Sequence, residues 1–340
     1  MSVFKTLKSD ILSGKYPFQS KIPSEADLVR ELNISRTTLR KVLEALKKAG
    51  LIESHKGSGW FVCNKNITRY IPIVVPKNSN NYRMTEILEG AHNYFDKVGF
   101  SSLLTITDDD PKKEQELIKK LLNEGHKNFV IYPTSTFHNS VFYQKLLREN
   151  CNFVFIDSLP SRITCDYVTS CNFLGGYIAT KKLIALGHKN IAFCSLPDPK
   201  TTNTVNDRYL GYLSALEQNK IKVSNDLIFI QDNGDYNSMC SRILKNKTAT
   251  AFFVSTDEFA ISLKKMFSES DRHPAIIGFD NTILSENFDL ASVNQNLYEI
   301  GRTAAELLYK RIVEPSKNYE HIFVPVFLIE RGSLTKPEKN

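Results

Sequence analysis

A chain of 340 residues with 41% hydrophobic and 24% charged residues is long enough for two or three domains and can bury a core. Its apolar runs fall short of the roughly 18 residues that a membrane-spanning helix needs, and charges interrupt its first residues where a signal peptide would be apolar. We therefore expect a cytoplasmic protein that does not span a membrane.

The positive charge lies at one end of the chain. The net charge is +7, and residues 1–69 hold 13 Lys/Arg against six Asp/Glu, whereas the remaining residues hold 31 of each kind. A small basic module joined to a large neutral one is typical of a nucleic-acid-binding domain attached to another domain. A basic surface that only contacts solvent would show the same charge distribution. The pattern of residues must therefore distinguish it from a nucleic-acid-binding surface.

The basic module contains the pattern of a helix-turn-helix. Residues 3–13 predict a first helix, because their apolar residues recur at helical spacing until Gly14. A second helix is expected after Ser24, a natural N-cap with Asp27 three residues later. The short turn at 33–34 then separates it from a third helix. Two helices joined by a tight turn predict a DNA-binding unit.

The third predicted helix has the features of a recognition helix. Ser35 caps it, and Arg36 and Arg40 project from its outer face, where a guanidinium group can make two hydrogen bonds to guanine in the major groove. The hairpin that follows carries Lys56 and Gly57 at its tip, and a glycine allows close approach to a groove or phosphate. Helix and hairpin together predict a two-point contact with DNA.

The stretch KIPSEADLVRELNISRTTLRKVLEALKKAGLIESHKGSGWFV resembles the winged helix-turn-helix of GntR-type bacterial regulators over residues 3–63. The resemblance implies that arginines of the third helix read bases, that its hydroxyl residues hold phosphates, and that the hairpin tip touches the minor groove. The residues expected at the DNA are Ser24, Glu25, Ser35, Arg36, Thr37, Thr38, Arg40, Lys56 and Gly57. Many family members have an arginine where this chain has Ala26, so one contact to DNA is missing.

From residue 70 onward, short apolar runs alternate with amphipathic stretches. Near-continuous apolar strands alternating with helices predict an α/β fold with parallel sheets covered on both faces. The length of this region indicates two lobes. We expect a DNA-binding domain over 1–66, a linker over 67–71 and a second domain over 72–336. The strand candidates are 70–76, 101–107, 128–133, 152–157, 191–195, 227–231, 250–255 and 275–280.

Two stretches of the second domain repeat each other. KKLLNEGHKNFVIYP (119–133) and KKLIALGHKNIAFCS (181–195) share seven of fifteen positions, and each reads as a helix end followed by a buried strand. The repeat supports two lobes of related construction, but two similar turns that arose independently would give the same pattern.

Acidic residues follow several of the predicted strands. Asp157, Asp257 and Asp280 each come at or just after a strand end, and the carboxyl ends of parallel strands are where ligands bind in such folds. Asp157 and Asp257 could instead serve as strand-end caps or form structural ion pairs. For Asp157 the structural role and ligand binding explain the position equally well, and for Asp257 the structural role explains it better.

The second domain resembles the effector domain of LacI/GalR-type repressors. The motifs that carry the resemblance include DYVTSCNFLGGYIATKKLIALGHKNIAF, RYLGYLSAL, TAFFVSTDEFAI and IIGFDN. The resemblance implies a two-lobed fold like that of periplasmic sugar-binding proteins, with Arg208 and Asp280 on sugar hydroxyls. An arginine fork and a carboxylate suit vicinal diols, because each hydroxyl both donates and accepts. The expected ligand residues are Asp157, Arg208, Tyr236, Thr256, Asp280 and Gln295, of which Gln295 is the weakest match.

A GntR-type head on a LacI/GalR-type body is the arrangement of arabinose-type repressors. It implies a repressor that binds double-stranded operator DNA as a homodimer and is released by a small sugar such as L-arabinose. A nucleoside, a purine or a sugar phosphate is the alternative effector. An enzyme with a DNA-binding head is the rival class, but the sequence contains no GxSxG, HExxH or Walker A motif. No cofactor and no metal are expected, since the six cysteines form no CxxC pair.

Overall fold

The structure is a computed structural model that describes residues 3–12, 15–16, 19–63, 70–77, 81–196, 198–231 and 236–337. The helices are α1 (Val3–Leu12), α2 (Glu25–Leu32), α3 (Arg36–Lys48), α4 (Asn81–Lys97), α5 (Pro111–Asn123), α6 (Ser140–Arg148), α7 (Asn172–Ala185), α8 (Asn203–Gln218), α9 (Tyr236–Lys245), α10 (Asp257–Ser268), α11 (Ile283–Asn287) and α12 (Leu297–Val313). The strands are β1 (Ile52–His55), β2 (Gly59–Val62), β3 (Tyr70–Pro76), β4 (Ser101–Thr107), β5 (Asn128–Ile131), β6 (Asn152–Ile156), β7 (Asp166–Ser170), β8 (Ile191–Ser195), β9 (Ile228–Ile230), β10 (Ala251–Val254), β11 (Ala275–Asp280), β12 (Ala291–Asn294), β13 (His321–Val324) and β14 (Phe327–Ile329).

The N-terminal head is a winged helix. Its three helices and the antiparallel pair β1 and β2 enclose one apolar cluster that includes Leu7, Leu28 and Leu43. The predicted caps are present, because the Ser24 hydroxyl accepts the N–H of Asp27 and Asn33 ends α2 in the left-handed conformation. The turn and the wing expected from the sequence are therefore confirmed.

The rest of the described chain forms two α/β lobes. The first lobe has six parallel strands in the order β13-β7-β6-β5-β3-β4, and the second has the order β14-β12-β11-β10-β8-β9. Only β14, which pairs antiparallel with β12, departs from the parallel arrangement among the described strands of these two sheets. Their central strands are buried along nearly their whole length, as expected for sheets with helices on both faces.

The chain passes between the lobes at three places, after β7, after β12 and after β13. The passages are tied to one another: the Ser170 hydroxyl donates to Gln295, and the N–H of Cys171 donates to the carbonyl of Val324 over 2.9 Å. Short connections that bond to each other form a hinge at which two rigid lobes can change their angle.

All eight strand candidates are present, and four strands were not predicted. β7 carries the buried polar residues Asp166, Thr169 and Ser170, so it lacks a continuous apolar run. β12, β13 and β14 have only three or four residues each, and β13 and β14 lie at sheet edges with several exposed side chains. Short edge strands give a weak hydrophobic pattern.

The two stretches of the internal repeat do not occupy equivalent positions in the two sheets. It pairs β5 with β8, but β5 is the third strand from the β4 edge of its sheet, whereas β8 is the second strand from the β9 edge of the other. The lobes correspond when β3 is placed on β8, so the structure favours two independent helix-to-strand turns. Of the expected linker 67–71, residues 67–69 lie outside the described residues, and Tyr70 and Ile71 belong to β3.

The head packs on the first lobe through α1 and α12. Lys8 Nζ donates to the carbonyl of Val313 over 3.0 Å, and the hydroxyls of Ser9 and Tyr309 share a hydrogen bond of 2.5 Å. Leu12 contacts the apolar cores of both the head and the lobe. The end of α12 is thus part of the interface between the two modules.

Candidate functional site

The outer face of α3 is exposed to solvent at its N-terminal end. Arg36, Thr37, Thr38 and Arg40 are exposed, while Leu39, Leu43 and Leu46 of the same helix are buried. The Ser35 hydroxyl accepts the N–H of Thr38 over 3.1 Å and also bonds the hydroxyls of Thr37 and Thr38. This hydroxyl cluster at a helix N-terminus has the donors that a backbone phosphate requires.

Glu25 connects the recognition helix to the wing. Its carboxylate accepts Arg40 Nε at 3.2 Å and the indole N–H of Trp60 at 3.4 Å. The sequence placed Glu25 at the DNA, and in the structure it orients Arg40. An arginine whose fork is already fixed loses less side-chain entropy when it binds a base.

The wing tip extends away from the head. Lys56 and Gly57 are exposed in the turn between β1 and β2, and Gly57 has φ +77°, which a side chain would strain. A groove of about 370 Å³ separates the wing from the start of α2 and is lined by Ser24 and Glu25 as well as by the tip. Helix and wing therefore offer two separate surfaces to a duplex.

A second site lies between the two lobes. Asp157 follows β6 in the first lobe, whereas Asp280 ends β11 and Arg208 lies on α8 in the second. These three side chains are 3% exposed or less. Asp157 (φ 61°) and Asp280 (φ 123°) both have left-handed backbones, a strain that is concentrated at functional sites.

Arg208 is held in one orientation. Its Nε donates to Asn172 Oδ1 over 2.8 Å, its Nη1 donates to the carbonyl of Ser255 over 2.6 Å, and its guanidinium lies 3.7 Å from the centre of the Phe279 ring. Nη1 also lies 4.0 Å from Asp280 Oδ1. A fixed cation beside a carboxylate is suited to a ligand with adjacent acceptor and donor groups.

Arg83 bridges the lobes and was not predicted from the sequence. It lies in the first turn of α4, and its Nη2 donates to Asp157 Oδ1 over 3.1 Å while its Nε lies 3.5 Å from Asp280 Oδ1. A cation at the N-terminus of a helix opposes the helix dipole and needs carboxylates nearby. An arginine near the start of a predicted helix was the only signal in the sequence for this residue. Which carboxylates balance its charge can be seen only in the fold.

Three buried polar atoms of this cluster have no hydrogen-bond partner within the described part of the chain. They are Arg83 Nε, Asp280 Oδ2 and Glu258 Oε1. One is a donor and two are acceptors, and leaving such groups unpaired costs about 1–3 kcal/mol each. A ligand with several hydroxyl groups supplies both kinds of partner.

The charged groups of the cleft shift one another's pKa. Burial raises the pKa of Asp280, and Arg83 and Arg208 oppose this rise. Burial and the repulsion of Asp280 also raise the pKa of Glu258. For Arg83, burial lowers the pKa but the carboxylates Asp280 and Asp157 outweigh it, so the pKa is raised. The cation of Arg83 is therefore stabilised by both lobes.

The other expected ligand residues have different surroundings. Gln295 is fully buried at the hinge, where its amide donates to Asp280 and its oxygen accepts the Ser170 hydroxyl. Tyr236 packs edge-on against Phe259 with ring centres 5.9 Å apart, and Thr256 is the N-cap residue of α10. Gln295 thus adjoins the cleft through Asp280, whereas the contacts of Tyr236 lie in its own lobe.

Asp257 has the structural role that the sequence favoured. Its carboxylate accepts the N–H of Thr282 over 2.9 Å and the hydroxyl of Ser292 over 2.6 Å, so both oxygens bond within the second lobe. Sequence reasoning also missed Glu258, the next residue, which contributes an unpaired oxygen to the cleft.

Among the residues that the structure describes, no helix is long and apolar enough to cross a bilayer.

A winged helix joined to two hinged lobes with a charged cleft defines a ligand-binding transcriptional regulator. Residues 68–241 match the family described as periplasmic binding proteins and sugar binding domain of LacI family, and residues 180–334 match the periplasmic binding protein-like domain. Residues 1–62 match the bacterial regulatory proteins of the gntR family. The chain belongs to the LacI-type family of periplasmic-binding-protein-like domains and has a GntR-type head.

The chain is similar to named transcriptional repressors and to a solved LacI family regulator. The arabinose metabolism transcriptional repressor of Geobacillus stearothermophilus is 25% identical, with 95% of this chain and 94% of the repressor covered. The transcriptional repressor PurR of Histophilus somni strain 2336 is 28% identical over 88% of this chain and 91% of its own. A ribose-bound LacI family regulator from Enterococcus faecium superimposes with a TM-score of 0.68 at 26% identity, covering 79% of this chain and 100% of the regulator.

Proposed function

We propose that this protein is a repressor that binds operator DNA as a homodimer and is released by a small sugar. The observation that carries the sugar assignment is the set of unpaired donor and acceptor atoms at Arg83, Asp280 and Glu258 between the lobes. The relatives named as arabinose repressors make L-arabinose the first candidate, and the bound ribose of the structural neighbour makes D-ribose the second.

A purine or nucleoside is the alternative class of ligand. The relatives named PurR favour it. The cleft residues described above favour a sugar instead, because they supply charged hydrogen-bonding groups suited to hydroxyls. We propose no catalytic step, since the named relatives are transcriptional repressors.

The DNA contacts are proposed for both surfaces of the head. Arg36 and Arg40 are placed to read base edges, Ser35, Thr37 and Thr38 to hold phosphates, and the wing tip with Lys56 and Gly57 to enter the minor groove. Ser24 and Glu25 act indirectly, because Ser24 caps α2 and Glu25 orients Arg40.

The homodimer is proposed to form along the edge of the first lobe. β4 is an edge strand, and its Leu104 and Ile106 are 46% and 56% exposed. Exposed apolar side chains on an edge strand favour association with another chain. Two copies would place two heads on a pseudo-palindromic operator.

Ligand and DNA binding are proposed to be coupled through α12. This helix starts two residues after Gln295, which bonds Asp280 in the cleft, and it ends at Val313, which accepts a hydrogen bond from Lys8 of the head. Closure of the lobes around a sugar would move the start of α12 and so change the position of the head.

The test combines both sites in one experiment. An operator is first selected from random DNA with the full-length protein, and binding is then followed by fluorescence anisotropy with and without L-arabinose or D-ribose. We expect two chains per operator and a sugar-dependent loss of affinity. Arg36→Ala and Arg40→Ala should each weaken specific binding by about 1–3 kcal/mol, whereas Arg208→Ala should retain DNA binding but lose the sugar response. Full affinity in both head variants, or a normal response in Arg208→Ala, would contradict the assignments.

A further inference from the structure

The net charge of the cleft is set by a small number of groups. Arg83 and Arg208 are its cations, and Asp157, Asp280 and Glu258 are its carboxyl groups. The structure thus contains at least as many acidic as basic groups around the unpaired atoms. A further anion brought in by a ligand would meet no unused positive charge.

The charge of Arg83 is already compensated within the protein. Its Nη2 donates to Asp157, its Nε faces Asp280 at 3.5 Å, and its side chain is only 13% exposed. An anionic ligand would have to replace one of these carboxylates, which would leave a buried carboxylate without its partner. A neutral ligand meets no such penalty, because it can accept the Nε–H of Arg83 while both ion pairs stay in place.

Arg208 does not supply a free cation either. Two of its N–H groups donate to Asn172 and to the carbonyl of Ser255, and Asp280 lies 4.0 Å away. It lies face-on to Phe279, which fixes the plane of the guanidinium. The two arginines therefore offer directed N–H donors rather than an open positive pocket of the kind that binds phosphate.

We propose that Arg83 is a specificity-determining residue that restricts this cleft to uncharged polyhydroxyl ligands and excludes their phosphorylated or carboxylated counterparts. This inference rests on the proposed sugar response and narrows it to one charge class. Arg83 contributes one hydrogen-bond donor to the ligand, and Asp157 and Asp280 keep its charge from attracting an anion. The same contacts make Arg83 a bridge between the lobes.

The test compares sugars with their charged derivatives by isothermal titration calorimetry on the full chain. The pairs are L-arabinose with L-arabinonate, D-ribose with D-ribose 5-phosphate, and D-glucose with D-glucose 6-phosphate. We expect one neutral sugar to bind at least tenfold more tightly than its anionic counterpart. An anionic member that binds as tightly as its neutral partner would overturn the proposal. If no member of any pair binds, the proposed sugar response itself fails.

Two variants test whether Arg83 and Asp157 determine the preference for a neutral ligand. Asp157→Asn removes one negative charge and should reduce the preference for the neutral member at least tenfold, because Arg83 then has charge available for an anion. Arg83→Lys keeps the cation but loses the Nε donor, and it should weaken neutral sugar binding at least tenfold. Arg148→Lys, an exposed arginine of the same lobe, is the matched control and should behave as the wild type.

Thermal unfolding distinguishes a folding defect from a lost contact. Both cleft variants retain either the cation or its second carboxylate, so we expect cooperative unfolding for each. Unchanged sugar affinity in a folded Arg83→Lys protein, or an unchanged preference in a folded Asp157→Asn protein, would show that these residues do not determine the ligand charge.

Discussion

Asp257 and Asp280 are buried aspartates of the same lobe, but their carboxyl groups differ in their hydrogen bonds. Asp257 has hydrogen bonds to both oxygens from Thr282 and Ser292, whereas Asp280 leaves one oxygen unpaired toward the cleft. The sequence placed both at strand ends and favoured a structural role for Asp257 and ligand binding for Asp280, but it could not identify their partners, because these depend on which side chains the second lobe brings to each oxygen. Arg83 was missed for the same reason, since its partners come from two lobes.

The titration of Asp257 predicts a dependence of stability on pH. Burial, reinforced by repulsion from Asp280, raises its pKa to about 8, from about 3.9 in an unfolded chain. Since the folded state holds this proton more tightly, the stabilisation is complete below about pH 4 and is lost as the pH rises toward 8. Between pH 5 and 7 this group should lower the free energy of unfolding by about 1.4 kcal/mol per pH unit.

Urea unfolding of the wild type and of Asp257→Asn at several pH values measures this effect. The asparagine is close in shape and does not titrate, so the difference in slope isolates the carboxyl group from the other titrating groups of the cleft. Asp271→Asn, an exposed aspartate of the same lobe, serves as the control. Equal slopes for wild type and Asp257→Asn would show that the carboxyl group is ionised throughout this range.

At the scale of elements, the sequence predicts buried strands better than contacts between helices. The central strands were recognisable because both of their faces are apolar, while β7 was hidden by its buried polar residues. The close approach of α4 to α12 left little trace in the hydrophobic pattern, since it depends on glycines. Gly90 and Gly301 bring the two helix backbones together.

These glycines should tolerate no side chain. A Cβ at Gly90 would lie 2.0 Å from the carbonyl oxygen of Tyr298, and one at Gly301 would lie 1.9 Å from that of Ile87. Alanine gains about 1 kcal/mol of helix propensity over glycine, but overpacking costs typically ~1–3 kcal/mol or more, and here the atoms that must move are backbone. We expect Gly90→Ala and Gly301→Ala each to lower the free energy of unfolding by at least ~2 kcal/mol net.

Chemical denaturation of the two glycine variants beside Glu89→Ala tests the contact. Glu89 is the exposed neighbour of Gly90, so its replacement should change stability by less than about 0.5 kcal/mol. A glycine variant as stable as the control would mean that the two helices separate without cost, and α12 could not then act as a rigid element.

At the scale of the whole molecule, α12 runs from the cleft between the lobes to the head. Its 17 residues span about 25 Å. One end follows Gln295 at the hinge, and the other end contacts α1 of the head through Tyr309, Val313 and the C-cap residue Glu314. Packed helices pass on movements because their interfaces have discrete arrangements. This link could not be predicted from the sequence, since the two helices are separated by nearly the whole chain.

This arrangement predicts variants in which binding is retained but coupling is lost. Tyr309→Phe with Glu314→Gln removes the hydrogen bond to Ser9 and the ion pair to Lys5, which has an N–O distance of 2.8 Å, without changing a residue of the head. We expect sugar affinity and sugar-free operator affinity to stay within about threefold of the wild type. The sugar-induced loss of operator affinity, typically ~5–150-fold in such couplings, should shrink toward unity.

Glu306→Gln is the matched control, because Glu306 lies on α12 but pairs with Arg302 and Lys310 of the same helix. If the double variant kept a full sugar response, the signal would have to travel between the two chains of the proposed dimer, and α1 would only anchor the head. If the control lost the response as well, the integrity of α12 and not its contact with the head would be what matters.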